Sequence, residues 1–150
     1  MKQSLVLGLK TDTLRPADVV MTAPSSSQRR ILVVDDEPFV ADAVKMMLMH
    51  DGHMVETASS GREALALFEG GKFDLLITDY AMPGMRGDKL AVAIKERAPN
   101  QPVVMITAFA EMLASSRNPL SGVDCVISKP FLMENLREAI TKVLPRGVTG

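Results

Sequence analysis

From Arg30 onward the chain alternates short apolar, β-branched runs with segments of helical periodicity, five times over. Few folds accommodate that rhythm. Strand-like runs stand at Ile31–Val34, Met54–Thr57, Leu75–Thr78, Pro102–Thr107 and Cys125–Ser128. Being short and bounded by turn signals, they suit strands better than helices. Between them come helical patterns. Val40, Val44, Met47 and Leu48 follow Pro38, and Ser60 and Glu63 hold capping-box spacing ahead of Ala64–Phe68. Leu90, Ala91, Ile94 and Ala98 precede Pro99, and a fourth helix is expected over Ala110–Arg117, ahead of Asn118-Pro119. Leu136, Ala139, Ile140 and Val143 complete the last. Nearly continuous apolar strands alternating with helices predict an α/β fold, a parallel sheet covered on both faces.

The chain has 150 residues, enough for one well-buried core and short for two. A net charge of −1 gives no electrostatic case for direct nucleic-acid or membrane-surface binding. Cys125 is the sole cysteine, so no internal disulfide forms, and a reducing, cytoplasmic setting is expected. Ser4–Leu9 is too brief an apolar run for a secretory signal or a membrane span. Residues 1–28 end in Ala-Pro-Ser-Ser-Ser-Gln and read as a flexible extension, residues 29–145 as the domain, and 146–150 as a short tail. Little chain follows Leu144, so no output domain is expected there.

Right-handed crossovers bring the C-terminal ends of parallel strands to one edge of the sheet. Asp35 and Asp36 follow the first strand, Asp79 the third, Thr107 the fourth and Lys129 the fifth. Asp79 opens onto Tyr80–Gly87, a loop marked by Pro83, Gly84 and Gly87. Three crowded carboxylates repel one another, and a hard cation such as Mg²⁺ relieves them. Lys129 offers a compact positive charge and Thr107 a hydroxyl, both suited to phosphoryl oxygens. Asp79 then has the surroundings of a nucleophilic carboxylate in phosphoryl transfer. Individually each has a plainer explanation: helix-leading acids, a β-forming threonine, a solvated lysine.

The stretches VVDDEP, TDYAMPGMRG, ITAF and SKPF, in this order and spacing, resemble the receiver domain of two-component response regulators. The resemblance covers about Arg30 to Leu144. It implies a flavodoxin-like doubly wound sheet of order 2-1-3-4-5 with five helices in three α/β/α layers. It implies that Asp79 accepts a phosphoryl group from a sensor histidine kinase or histidine phosphotransfer protein. Asp36, Asp79 and the Ala81 backbone carbonyl would hold Mg²⁺ (or Mn²⁺), with Asp35 acting through water. Thr107, Ala108 and Lys129 would receive the phosphoryl group, and Lys129–Pro130 would be cis. The protein is expected to be no enzyme beyond accepting and slowly losing its own phosphoryl group. It would signal as a stand-alone monomer or weak homodimer, through a downstream protein bound at the helix 4–strand 5–helix 5 face.

Two departures accompany the resemblance. Val126 stands where the family usually has an aromatic that moves inward with the threonine, and Phe109 is the candidate substitute. Leu132 stands where the last helix usually has a capping side chain, which predicts a poorly capped start. The alternatives are an unphosphorylated interaction module, the receiver piece of a larger hybrid kinase, and a Mg²⁺-dependent aspartyl-phosphate phosphatase. The last generally needs an Asp-x-Asp on the first strand, which Asp35-Asp36-Glu37 does not supply.

Overall fold

The alternation resolves into five strands and five helices in a computed structural model that describes residues 28–114 and 120–144. The expected extension, apart from Gln28, and the tail over 146–150 lie outside the described residues. In chain order the elements are β1 (Arg30–Val34), α1 (Pro38–His50), β2 (Met54–Ala58), α2 (Gly61–Gly70) and β3 (Leu75–Asp79). They continue as α3 (Gly87–Arg97), β4 (Val103–Thr107), α4 (Ala110–Ala114), β5 (Cys125–Ser128) and α5 (Met133–Val143). Of the helix expected over Ala110–Arg117, residues 115–117 lie outside the described residues.

All pairings are parallel and the strand order is 2-1-3-4-5, as expected. Period-two alternation divides the core between the two faces. Ile31, Val33, Leu75 and Ile77 pack with Ala41, Val44 and Leu48 of α1 and Leu136 and Ala139 of α5. Leu32, Val34 and Leu76 face the other way, onto Ala64 of α2 and Leu90, Ala91 and Ile94 of α3. β1, β3 and β4 are buried almost throughout, whereas the edge strands β2 and β5 alternate or lie half exposed. Among the described residues no helix is long and apolar enough to cross a membrane.

The N-terminal edge of the sheet is stitched by two aspartates. Asp74 N–H donates to Arg30 O while its carboxylate accepts the Arg30 N–H. Asp124 does the same with Val103, at 2.8 Å in each direction. These acids complete the ladder where the strands begin, leaving the acids at the opposite edge for other work.

The capping readings need adjustment. Ser60 accepts the Glu63 N–H as predicted, but Glu63 returns its carboxylate to Ser59, one residue earlier. Leu132 caps α5 without a side-chain bond, yet Asn135 Oδ1 accepts the Leu132 N–H at 2.7 Å, so half of a capping box survives. His53 is half-buried, its Nδ1 accepting the Arg29 N–H.

Candidate functional site

The parallel strands deliver their C-terminal residues to one edge, and an acidic pocket forms there. Carboxylate oxygens of Asp35, Asp36 and Asp79 all lie within 4.8 Å of one another. Asp35 and Asp79 are buried and Asp36 is half-buried. Asp79 ends the central strand β3, where every residue is buried. Its position is therefore fixed by the core rather than by a loop.

Lys129 reaches in from beyond β5. Its Nζ stands 3.2 Å from Asp79 Oδ1 and 3.5 Å from Asp35 Oδ2. The Lys129 N–H donates to Thr107 O at 2.9 Å, so the two residues are tied through their backbones. The Lys129–Pro130 bond is cis. Thr107 is buried one residue past Ile106, the register partner of Asp79. Ala81 and Ala108 are exposed on the loops after β3 and β4. Val126 is exposed on the edge strand.

The electrostatics of the pocket are strained. Burial, then the Asp35 charge, push the Asp79 carboxyl above the ordinary carboxylate value. The Lys129 ammonium and the Tyr80 N–H, which donates to Asp79 Oδ1 at 2.9 Å, pull the other way without cancelling it. Burial would lower Lys129, but Asp79 and Asp35 together outweigh burial and hold its ammonium above the ordinary lysine value. One cation thus serves two buried acids, with Asp36 beside them. That donor set fits an additional hard divalent cation, which favours carboxylate and water oxygens.

Two features escape sequence reasoning. Gly87 is the first residue of α3, and its N–H donates to Tyr80 O at 2.8 Å. A Cβ at this position would collide with the Asp79 carbonyl oxygen, so α3 rests directly on the backbone of Asp79. The glycine was visible as a loop marker, but its contact is not encoded in local spacing. Around the outer rim, Tyr80 and Phe109 meet edge-to-face with ring centroids 6.3 Å apart, and the Arg86 guanidinium stacks over Tyr80. Phe109 N–H donates to Thr107 Oγ1 at 3.0 Å.

Comparison with known proteins agrees with this arrangement. A family model described as the response regulator receiver domain matches residues 31–141. Chemotaxis protein CheY of Pseudomonas aeruginosa is 36% identical over 120 residues, covering 78% of this chain and 97% of that protein. Transcriptional regulatory protein TcrA of Mycobacterium tuberculosis is 31% identical over 118 residues, covering 79% of this chain. Only 47% of TcrA is matched, so the chain spans about half the length of that relative. Among solved structures, response regulator protein TrrA of Thermotoga maritima, in complex with Mg²⁺-BeF, gives a TM-score of 0.71 at 33% identity. The match covers 78% of this chain and 100% of TrrA.

Proposed function

The chain belongs to the response regulator receiver domain family, and on that footing we propose that it accepts a phosphoryl group on Asp79 and signals by phosphorylation-dependent protein binding. The observation that carries the proposal is the meeting of three carboxylates within 4.8 Å with the Lys129 ammonium 3.2 Å from Asp79. In the proposed reaction an Asp79 carboxylate oxygen attacks the phosphorus of a phosphohistidine. A P–O bond forms, the P–N bond breaks, and the imidazole leaves with the bonding pair. Lys129 offsets charge on the transferred group, and Thr107 donates its hydroxyl hydrogen to one phosphoryl oxygen. Asp36, Asp79 and the Ala81 carbonyl would hold Mg²⁺ or Mn²⁺, with Asp35 through water. The cation, when bound, supplies charge neutralisation between carboxylate and phosphoryl oxygens. Ala108 would contribute backbone to the same oxygens.

The phosphoryl donor is a sensor histidine kinase or histidine phosphotransfer protein in this reading. One surface supports a helical donor. Phe39, Ala43, Met46 and His50 run down α1 opposite its buried face, in the four-three-four spacing that packs against other helices. Phe39 is 89% and Met46 70% exposed, and Phe39 lies three residues from Asp36. The downstream protein would bind the face formed by α4, β5 and α5. In this reading the receiver acts as a monomer or weak homodimer, and CheY, matched over 97% of its length, is a receiver of similar size. No exogenous substrate is turned over; slow self-dephosphorylation is the only hydrolysis expected. The test is intact-mass measurement after incubation with acetyl phosphate and Mg²⁺. Wild type should gain one phosphoryl mass and Asp79→Ala none; a wild type that gains nothing sinks the proposal.

A further inference from the structure

Two of the residues that would handle the phosphoryl group, Asp79 and Thr107, are each tied by a backbone N–H to one member of an aromatic pair. Tyr80 N–H donates to Asp79 Oδ1 at 2.9 Å, and Phe109 N–H donates to Thr107 Oγ1 at 3.0 Å. The rings of Tyr80 and Phe109 then meet edge-to-face on the outside of the rim. The four residues form a connected path: carboxylate, amide, ring, ring, amide, hydroxyl. Arg86 fixes one side of it, stacked over Tyr80 and paired in bidentate fashion with Asp88 in the first turn of α3. The other side is continuous with α4, because Leu113 N–H donates to Phe109 O at 3.0 Å. Phe109 is 45% exposed, so its ring is not locked by the core and can shift.

We propose that the Tyr80–Phe109 pair is the positioning element that carries phosphorylation of Asp79 to α4 in this chain. Donation from the Thr107 hydroxyl to a phosphoryl oxygen draws Oγ1 toward Asp79. The Phe109 amide, bonded to that same oxygen, follows. The Tyr80 ring is held by Arg86, so Phe109 moves against it, and the first turn of α4 moves with Phe109. Position 126 supplies no ring for this task, being an exposed valine on the edge strand. The inference rests on the proposed phosphorylation of Asp79, and its test separates the two.

Tyr80 is the sole tyrosine in a chain without tryptophan, so its emission reports this contact without labelling. Wild type should show a saturable change in tyrosine emission on adding beryllium fluoride with Mg²⁺, and a shift of the Phe109 amide resonance. Phe109→Leu retains the backbone amide and should still gain the phosphoryl mass from acetyl phosphate, yet lose most of the emission change. Val126→Ala should keep both. A Phe109→Leu variant with the wild-type emission change would overturn the inference, since the phosphoryl charge alone would then be the source. Wild type that gains mass with Tyr80 silent and the Phe109 amide unmoved refutes the inference alone. Absence of any mass gain refutes it together with the phosphoryl-acceptor reading.

Discussion

Replacing Gly87 by alanine tests how the site is held. The added Cβ would collide with the Asp79 carbonyl oxygen and stand 3.0 Å from its carbon and 3.1 Å from Tyr80 Cα. All three neighbours are backbone, so none can rotate aside. Either α3 lifts or the Asp79–Tyr80 peptide moves, and the Gly87 N–H bond to Tyr80 O stretches in both cases. Overpacking of this kind costs about 1–3 kcal/mol and a weakened hydrogen bond about 0.5–1.5 kcal/mol. Better helix propensity returns up to about 1 kcal/mol, leaving a net loss of about 0.5–4.5 kcal/mol. A carboxylate displaced by about 1 Å loses on the order of 100-fold in rate. Gly84→Ala is the control: it meets open space but strains a φ of +81°. It should cost about 1 kcal/mol through the backbone alone while leaving phosphoryl acceptance close to wild type. Denaturant midpoints and the rate of mass gain from acetyl phosphate measure both quantities. Wild-type stability and rate in Gly87→Ala, or equal slowing in the two variants, would refute the reasoning.

Other outcomes follow from features already described. Leu132→Ser, at a 64% exposed cap position with extended backbone, should stabilise the protein by about 0.5–1 kcal/mol; an unchanged melting temperature contradicts this. Burial first, opposed by Asp51 and Asp74, holds the His53 imidazole below its ordinary value. The unfolded chain therefore binds more protons just below pH 6.5 than the folded one. The His53 contribution is complete above that pH and is lost as pH falls below it, so the fall in denaturant midpoint should shrink in His53→Gln. Phe39→Ala with Met46→Ala should slow transfer from a phosphorylated histidine kinase while leaving acceptance from acetyl phosphate unchanged. Equal slowing with both donors would place the α1 stripe in the chemistry instead of in docking.

The two helical layers and the meeting of Asp35, Asp36, Asp79 and Lys129 were legible because they follow from periodicity and one-handed crossovers. The strand order was instead implied by the resemblance to the receiver family. β1, β3 and β4 are buried on both faces, and such strands announce themselves as unbroken apolar runs. Helix ends were less legible. Glu63 has two serines in reach and turns to Ser59, a choice that spacing does not make. Asn135 rescues a start that Leu132 alone leaves bare. The contact of Gly87 with Asp79 and the pairing of Tyr80 with Phe109 were invisible for a different reason. Each joins backbone or rings across separate loops, and only the folded geometry sets those distances. Asp74 and Asp124 precede β3 and β5 rather than follow them, and their carboxylates serve the ladder.

The site draws its members from unequal parts of the sheet. Asp79 belongs to the central strand, flanked by neighbours on both sides and buried along its length. Lys129 follows β5, four residues paired on one side only, with half of them exposed. Amide exchange should therefore be slowest around Asp79 and much faster at the amides leading to Lys129, because edge strands open in local fluctuations that leave the centre intact. The acid is stationary and the cation is on a tether. A brief detachment of β5 would withdraw positive charge from two buried carboxylates without unfolding the rest, making the charge balance of the pocket a property that fluctuates faster than the fold itself.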